Sequence, residues 1–286
     1  ADANGIKPLV ELLKHAEDDT TEEYAALVIA RIAAASHKYA DMVASEGGIP
    51  LSVKLLATGS TAARAQAAEA LKSLAVSHAT EVVEEGWHGK SAVEYMVSLL
   101  SSADTEAQER AAHALAGIAA GGKKDVIMSA GGVELLIGLL RLPARTDTLL
   151  DTSKARSLMQ QETSQLTWED ADSNERVRAR AADALSELAN DSADAQAAII
   201  ACSGIEAFIH VVEHSAHNPA KACAASAIWR LSSQHHEHVV NAGAIAPLVL
   251  LAGSSNDDGQ TQSAGALITL ACGHPEHQAA IAELLV

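Results

Sequence analysis

One nine-residue pattern, A-A-x-A-L-x-x-L-A, recurs along the 286-residue chain and constrains its fold more than any other feature. The copies are AALVIARIA (25–33), AAEALKSLA (67–75), AAHALAGIA (111–119), AADALSELA (181–189), AASAIWRLS (224–232) and SAGALITLA (263–271). Their central aliphatic residues are Ile29, Leu71, Leu115, Leu185, Ile228 and Leu267. The intervals between these residues are 42, 44, 70, 43 and 39, which indicates a repeat array with one insertion.

A second pattern, Gly and an aliphatic residue followed by an apolar run, precedes most of these copies. It reads GIKPLVELL (5–13), GIPLSVKLL (48–56), GVELLIGLL (132–140), GIEAFIHVV (204–212) and GAIAPLVLL (243–251), and AVEYMVSLL (92–100) lacks the Gly. Apolar spacings of three and four predict helices. The Gly is interpreted as a turn residue, because it adopts backbone angles that other residues resist. Each unit is therefore predicted to have a short first helix, a Gly turn, a second helix and an Ala-rich third helix.

Together these features resemble the armadillo repeat over essentially the whole chain. The resemblance implies an all-α fold, an armadillo-type right-handed α-solenoid, which is a superhelix of three-helix repeats. A HEAT-type helical array is the alternative, although it would lack the recurrent Gly and the short first helix.

We expect one domain, 1–286, of about six repeats that are incomplete at both ends. Residues 141–173 are predicted to be an inserted loop between the second and third helices of the fourth repeat, with a short helix at SKARSLMQQ (153–161). Because an unfinished repeat array leaves apolar surface open, we also expect a longer chain or a partner that covers an end.

Composition excludes several classes of function. The net charge of −17 and the 2% aromatic content are the opposite of a basic, base-stacking surface, so no nucleic-acid partner is expected. Three cysteines without a C-x-x-C pair predict no disulfide framework and an intracellular, reducing compartment, with the cytoplasm as first choice. No charge-free apolar run reaches about 18 residues, so no direct membrane insertion is expected.

Two local motifs suggest chemistry that their context does not support. Gly89-Lys90-Ser91 would end a phosphate-binding loop, but Glu84 occupies the position of the first Gly and no strand is predicted there. The stretch is interpreted as a surface turn, with Trp87 packed on the preceding helix or exposed to a partner.

The histidine pairs of HHEH (235–238) and HPEH (274–277) are one repeat apart, and we place them in loops about 10 Å from each other, too far for one ion. The sequence thus predicts no metal, no cofactor and no catalytic residues.

The armadillo resemblance implies that third helices line a groove, with binding residues two positions before and after the central aliphatic residue. Family members that hold extended peptides have Trp and Asn at these positions. This chain has neither residue at any of them, which argues against binding of nuclear-import peptides. The groove candidates are Glu69, Ser73, His113, Asp183, Glu187, Ser226, Arg230 and Thr269, and the loop candidates are Trp87 and Trp168. Asp183 and Glu187 share a helix face and predict a protein partner with a basic segment.

The sequence therefore predicts a non-catalytic protein–protein interaction scaffold or adaptor, part of a hetero-complex or of a longer chain, and a structural subunit of a larger assembly is one form of it. The alternative is the substrate-recognition segment of a larger enzyme such as a ubiquitin ligase. A nuclear transport adaptor ranks third, because the Trp and Asn residues are missing.

Overall fold

Sixteen α-helices and one short β-hairpin make up the residues that the computed structural model describes, which are 5–15, 18–142 and 168–284, without the side chains of 168–171. The chain divides into two compact units, Ala1–Leu135 and Leu136–Val286. The first unit contains α1 (Ile6–Lys14), α2 (Asp19–Ala35), α3 (His37–Ser45), α4 (Gly48–Thr58), α5 (Thr61–Glu84), β1 (Gly86–Trp87), β2 (Lys90–Ser91), α6 (Ala92–Leu99), α7 (Thr105–Ala120) and α8 (Lys124–Ser129).

The second unit begins within α9. Its elements are α9 (Gly132–Leu140), α10 (Trp168–Ala189), α11 (Ala193–Ala201), α12 (Gly204–His214), α13 (Asn218–Asn241), α14 (Ile245–Ala252), α15 (Asp257–Ala271) and α16 (Pro275–Leu284). Among the residues described, only the bent pair α11–α12, with 74° between its helices, matches a membrane span in length and apolar character, and no single helix does.

The six predicted pairs of second and third helices are all present. They are α1–α2, α4–α5, α6–α7, α9–α10, α12–α13 and α14–α15. Five of the six central aliphatic residues are buried, and Leu267 in the last pair is half-buried. Alanines around them, such as Ala67 and Ala68, are fully buried, and their small side chains let neighbouring helices pack closely.

The recurrent Gly is required for a reason other than the predicted one. The left-handed backbone angle belongs to the preceding residue in three repeats: Gly47 (φ 86°), Gly131 (φ 75°) and Ser203 (φ 56°). A Cβ atom on Gly48 would lie 2.4 Å from the Val43 side chain and 2.7 Å from the Val43 carbonyl oxygen. The first turn of the second helix thus touches the end of the first helix, and only Gly leaves room. Gly243 (φ 86°) alone fits the original interpretation among the internal copies.

The first helices differ from the prediction in two repeats. In α5 and α13 the third helix continues into the next first helix, with kinks at His78 (φ −123°, ψ 36°) and His235 (φ −127°, ψ 36°). The predicted loop position of His235 was therefore wrong. A separate first helix begins after Ser36 and Ser192, whose hydroxyls each accept a hydrogen bond from the amide three residues on and so end the preceding segment.

The His78 kink holds two elements of the first unit together. Its Nε2 lies 3.0 Å from Asp41 Oδ1 of α3, and its Nδ1 lies 3.1 Å from Glu81 Oε1. Burial opposes the protonated form, but hydrogen bonds and charges from both carboxylates outweigh it and raise the pKa of His78.

This geometry predicts a pH-dependent contribution to stability. Because the pKa is higher in the folded state, the contribution is complete below the unfolded value of about 6.5 and disappears as pH rises through the folded value. Urea unfolding of wild type and His78→Gln should therefore differ most at acidic pH and converge above neutrality. In an Asp41→Asn/Glu81→Gln background the same substitution should show no such pH dependence, and a difference that grows with pH would contradict the account.

The stretch with the Gly-Lys-Ser triplet forms a β-hairpin, which the sequence did not predict. Gly86 pairs with Ser91 and Trp87 with Lys90, and the connecting residues His88 and Gly89 both have positive φ. This is the two-residue turn that matches strand twist. Ser91 then caps α6, since its hydroxyl accepts the Glu94 amide proton while its own amide donates to the Glu94 carboxylate. The triplet therefore leads into a helix, and Ser91 makes these hydrogen bonds within the protein itself rather than to a phosphate.

The predicted insertion lies largely outside the described residues. Helix α9 ends at Leu140 and α10 begins at Trp168, so residues 168–173 are the first turns of the third helix. The predicted helix at 153–161 falls in the part of the chain that is not described, and the insertion limits stay a prediction.

In the described residues, a recurring hydrogen bond ties four of the six third helices to the end of the preceding second helix, and the predicted repeat pattern does not include it. The donor stands seven residues before the central aliphatic residue, as Arg64, Gln108, Arg178 or Gln260. Arg64 Nε donates to Leu56 O at 2.8 Å, and Gln108 Nε2 to Leu100 O at 3.1 Å. Helix ends leave carbonyl groups without partners, and these side chains satisfy them.

Candidate functional site

The third helices lie side by side within each unit, as α2–α5–α7 in the first and α10–α13–α15 in the second. Their predicted groove positions share one face, because residues four apart lie one helical turn apart. All eight candidates except Ser73 are half-exposed. Ser73 is buried and donates to the Glu69 carbonyl of its own helix, at 3.2 Å. Within each unit the helices thus present the candidate residues along one surface.

In the first unit the candidate Glu69 is neutralised by Lys72, which is not among the predicted groove positions. Lys72 Nζ lies 2.6 Å from Glu69 Oε1 and 3.4 Å from His113 Nδ1, while His113 Nδ1 is 3.8 Å from Glu69 Oε2. Burial would raise the pKa of Glu69, but the hydrogen bond and charge of Lys72 more than offset it and hold that pKa below its usual value. Glu69 therefore already has its cation.

In the second unit the candidates contact the next third helix. Arg230 Nη2 of α13 donates to Glu187 Oε1 of α10 at 3.0 Å. The Ser186 hydroxyl donates to the Ser226 hydroxyl at 3.1 Å. These contacts fix the lateral alignment of α10 on α13 and occupy Glu187, Ser226 and Arg230.

Trp229 extends the same surface from α13 to α15. Its Nε1 donates to Thr269 Oγ1 at 3.0 Å, and its ring covers Gly265 so closely that a Cβ there would lie 2.8 Å from ring carbon Cε2. The side chain is still 39% exposed. Trp229 thus packs between two repeats, and its open ring face is also part of the groove surface.

The predicted groove pattern does not include the position one residue after the central aliphatic residue. Lys72, Ser186 and Trp229 all stand there, and each reaches a candidate on the following helix: His113, Ser226 and Thr269. One sequence signal for this position was available: a large side chain, Trp229, is followed 36 residues later by a Gly, Gly265.

Asp183 differs from the other acidic candidates. It has no hydrogen-bond or ion-pair partner among the described side chains. Burial and, to a lesser extent, the charge of Glu187 raise its pKa, and Arg180 and Arg230 only partly oppose them. The nearby Cys223 thiol is also affected, since burial first and then Asp183 raise its pKa to about 12, which makes it unreactive. Asp183 is thus a half-buried carboxylate for which the described part of the chain supplies no paired cation.

Of the two loop candidates, the structure describes the side chain of Trp87 but not that of Trp168. Trp87 is half-buried at the hairpin, with its carbonyl accepting the Tyr95 hydroxyl at 2.9 Å. Its indole Nε1 is buried and has no hydrogen-bond partner within the described part of the chain. Trp168 begins α10, and its side chain is outside the described residues.

The separation assumed for the two histidine motifs needs a correction. By repeat spacing His235 is equivalent to His274, but His236 is the residue that faces the next repeat. Its ring centroid lies 4.2 Å from that of His274 and 6.2 Å from that of His277. The two motifs therefore meet across adjacent repeats.

No protein-family model matches this sequence, and no curated protein does. Solved structures do. An engineered protein of the Northeast Structural Genomics Consortium is 28% identical, with a TM-score of 0.74, over 94% of this chain and 97% of its own. A second engineered protein from that consortium is 26% identical, with a TM-score of 0.77, over 94% of this chain and 100% of its own.

Designed repeat proteins are also among the similar structures. A designed armadillo repeat protein is 21% identical, with a TM-score of 0.73, over 93% of this chain and 99% of its own. Another, in complex with the peptide (KR)4, is 19% identical, with a TM-score of 0.72, over 93% and 99%. The chain has an armadillo-like, all-helical repeat fold, which confirms the fold class predicted from the sequence.

Proposed function

We propose that this chain is a non-catalytic protein-interaction scaffold, and that the third helices of its second unit bind a basic segment of a partner protein. The observation that carries the proposal is the Asp183 carboxylate, half-buried on the groove surface and without a paired cation among the residues that the structure describes. A lysine or arginine of a bound segment would supply that cation.

The electrostatics of the groove favour such a ligand at Asp183 rather than at Glu69. Glu69 is already neutralised by Lys72, at 2.6 Å. Close to Asp183, Glu187 pairs with Arg230 at 3.0 Å, and no cation of the described residues forms an ion pair with the Asp183 carboxylate itself. Because an opposite charge close to a half-buried carboxylate stabilises its ionised form, a bound cation gains more there than at a solvated acid.

Two further observations support a basic protein segment. The net charge of −17 attracts cationic partners and raises their association rate. A designed protein of the same fold was solved with a peptide of alternating Lys and Arg, (KR)4. At 19% identity that structure supports the fold alone, and its peptide serves here as a probe.

Asp183→Asn is expected to weaken binding of labelled (KR)4 peptide about tenfold, or 1.4 kcal/mol. The substitution keeps the size of the side chain and removes only its charge, so the loss measures the proposed ion pair. Fluorescence anisotropy at near-physiological salt, about 150 mM, gives the dissociation constants. Circular dichroism and the urea midpoint check that the variant is folded.

Glu206→Gln is the matched control, since Glu206 is an exposed acid in the first turn of α12, outside the third helices. It removes the same charge and should change affinity less than about twofold, as expected for a distant, screened charge. Equal losses in the two variants would show attraction by net charge alone and would contradict the groove proposal.

In its finer form, the proposal is an adaptor or structural subunit of an intracellular complex, with the cytoplasm as its compartment. Native mass measurement of the endogenous protein tests this form. A stoichiometric complex with another chain would support it, and a lone chain near the sequence mass of 29.6 kDa would contradict a permanent subunit.

A further inference from the structure

Three histidines and one glutamate converge where the last two described repeats meet. The ring centroids of His236, His274 and His277 are separated by 4.2, 4.9 and 6.2 Å. Ligand atoms of His274, Glu276 and His277 already lie within 4.8 Å of one another. His236 is the first residue after the kink of α13, whereas the other three stand at the start of α16.

These distances are close to those of a zinc site. Zinc binds imidazole nitrogen at about 2.0–2.1 Å with tetrahedral geometry, which places bound atoms about 3.3 Å apart and ring centroids about 5 Å apart. The three observed centroid distances lie on either side of that value. Three imidazoles and one carboxylate complete a four-ligand set of the kind zinc prefers.

The hydrogen bond at Nδ1 of His277 leaves the other ring nitrogen, Nε2, available as a metal ligand. His277 is buried, and its Nδ1 lies 3.0 Å from the Leu270 carbonyl oxygen, an acceptor only, so Nδ1 carries the proton. Nε2 is therefore the nitrogen with a free lone pair, and it lies 4.0 Å from Glu276 Oε1. Histidine ligands of metals characteristically donate their other ring N–H to a carbonyl or carboxylate.

We propose that His236, His274, Glu276 and His277 bind one zinc ion that joins two successive repeats. His277 is the fixed ligand, through Nε2. His274 Nδ1 lies 3.4 Å from Glu276 Oε1, so these two ligands need only a small approach. His236 and His274 are tilted by 34° and must turn about their terminal torsions, which have broad minima and are free because both rings are half-exposed.

The consequence would be a cross-link between two successive repeats. Each repeat of such an array is stabilised through its interfaces with its neighbours. An ion held by α13 and α16 adds a second connection between adjacent repeats. Zinc binding to the folded state should then raise the unfolding temperature in proportion to the logarithm of its concentration above the dissociation constant.

The test uses metal-stripped, tag-free protein of residues 1–286, titrated with zinc by calorimetry and with Co²⁺ by visible absorption. One zinc per chain is expected, together with the intense visible bands of tetrahedral cobalt. His236→Ala and His274→Ala, both of half-exposed residues, should each weaken zinc binding at least about tenfold. His238→Ala is the control, because it removes an exposed histidine of the same HHEH motif that is outside the cluster.

Each outcome decides the proposal. Stoichiometric binding that both cluster variants weaken and His238→Ala leaves within about twofold supports it. Three results would overturn it: no saturable binding, equal losses in all three variants, or loss in His274→Ala with full affinity in His236→Ala. The last result would mean that the ion does not join two repeats. Circular dichroism of each variant separates loss of binding from loss of fold.

Discussion

Arg178→Ala is expected to lower the free energy of unfolding by about 3–5 kcal/mol, because it leaves a buried charge without its partner. The Arg178 side chain is fully buried, and its Nη1 donates to Glu175 Oε1 at 2.8 Å. Its Nε donates to Leu140 O at 3.2 Å, and its Nη2 donates to Leu142 O. The substitution would strand the buried Glu175 carboxylate, whose remaining partner is the Ser215 hydroxyl. Urea unfolding followed by circular dichroism measures the change.

Arg64 provides the matched control, since it occupies the same position in another repeat and donates to the equivalent carbonyl, Leu56 O, at 2.8 Å. Its side chain is only half-buried, so Arg64→Ala should cost about 1 kcal/mol, the usual net value of one hydrogen bond. The double variant Glu175→Gln/Arg178→Met should lose much less than Arg178→Ala alone, because it removes both charges. A loss near 1 kcal/mol for Arg178→Ala would show that the pair is not a buried ion pair in solution.

Gly204→Ala is expected to destabilise the protein by about 2–3 kcal/mol through overpacking. A Cβ atom on Gly204 would lie 2.5 Å from Ile199 Cγ2 and 2.8 Å from the Ile199 carbonyl oxygen. A side-chain carbon can move, but the backbone oxygen can move only if α11 shifts away from α12. Thermal and urea unfolding both report the loss.

The same substitution at Gly138 should have the opposite effect. Gly138 lies on the exposed face of α9, and apart from its chain neighbours and the nearby backbone of α9, no heavy atom of the described residues lies within 4 Å of a Cβ built there. Gly138→Ala should therefore add about 1 kcal/mol of stability through helix propensity alone. If the two variants changed stability by similar amounts, the close approach at Gly204 would not be the reason for the recurrent glycine.

The array itself could be predicted from sequence because its cause is local. The copies around Leu71, Leu115 and Leu185 place apolar residues at helical spacing, and each copy forms a third helix with that residue buried. A repeat also multiplies the evidence, since six similar segments must adopt the same structure.

The reason for the recurrent Gly could not be read from sequence. A glycine can be required either for its backbone angle or for its small size, and the two cases look identical in the sequence. At Gly204 the size is required, while the positive φ falls on Ser203. Only the position of Ile199, on the neighbouring helix, distinguishes the two cases.

Contacts between repeats were missed because they depend on how neighbouring helices are offset. Trp229 pairs with Thr269 and Gly265 from a position one residue after the central aliphatic residue, which the predicted groove pattern does not include. The same offset of one residue brings His236, rather than His235, to His274. A repeat period gives equivalent positions but not the residues that touch.

The groove candidates stay a prediction as a binding surface, and the ion pairs that they form were not predictable from the sequence. Glu69 and Glu187 look alike in the sequence and are neutralised by Lys72 and Arg230. Asp183 forms no ion pair among the described residues, although the charges of Arg180 and Arg230 act on it. This difference in pairing, rather than the count of acidic residues, makes Asp183 the centre of the proposed binding surface.

The most direct test of the central claim is the pKa of the Asp183 carboxyl, measured by carbon-detected NMR with and without the (KR)4 peptide. In the free protein, burial and Glu187 hold this pKa above its usual value. If a basic segment binds at Asp183, its cation stabilises the carboxylate, so the pKa should fall when the peptide binds. A peptide that binds while the pKa of Asp183 stays unchanged would place the binding surface elsewhere and contradict the account.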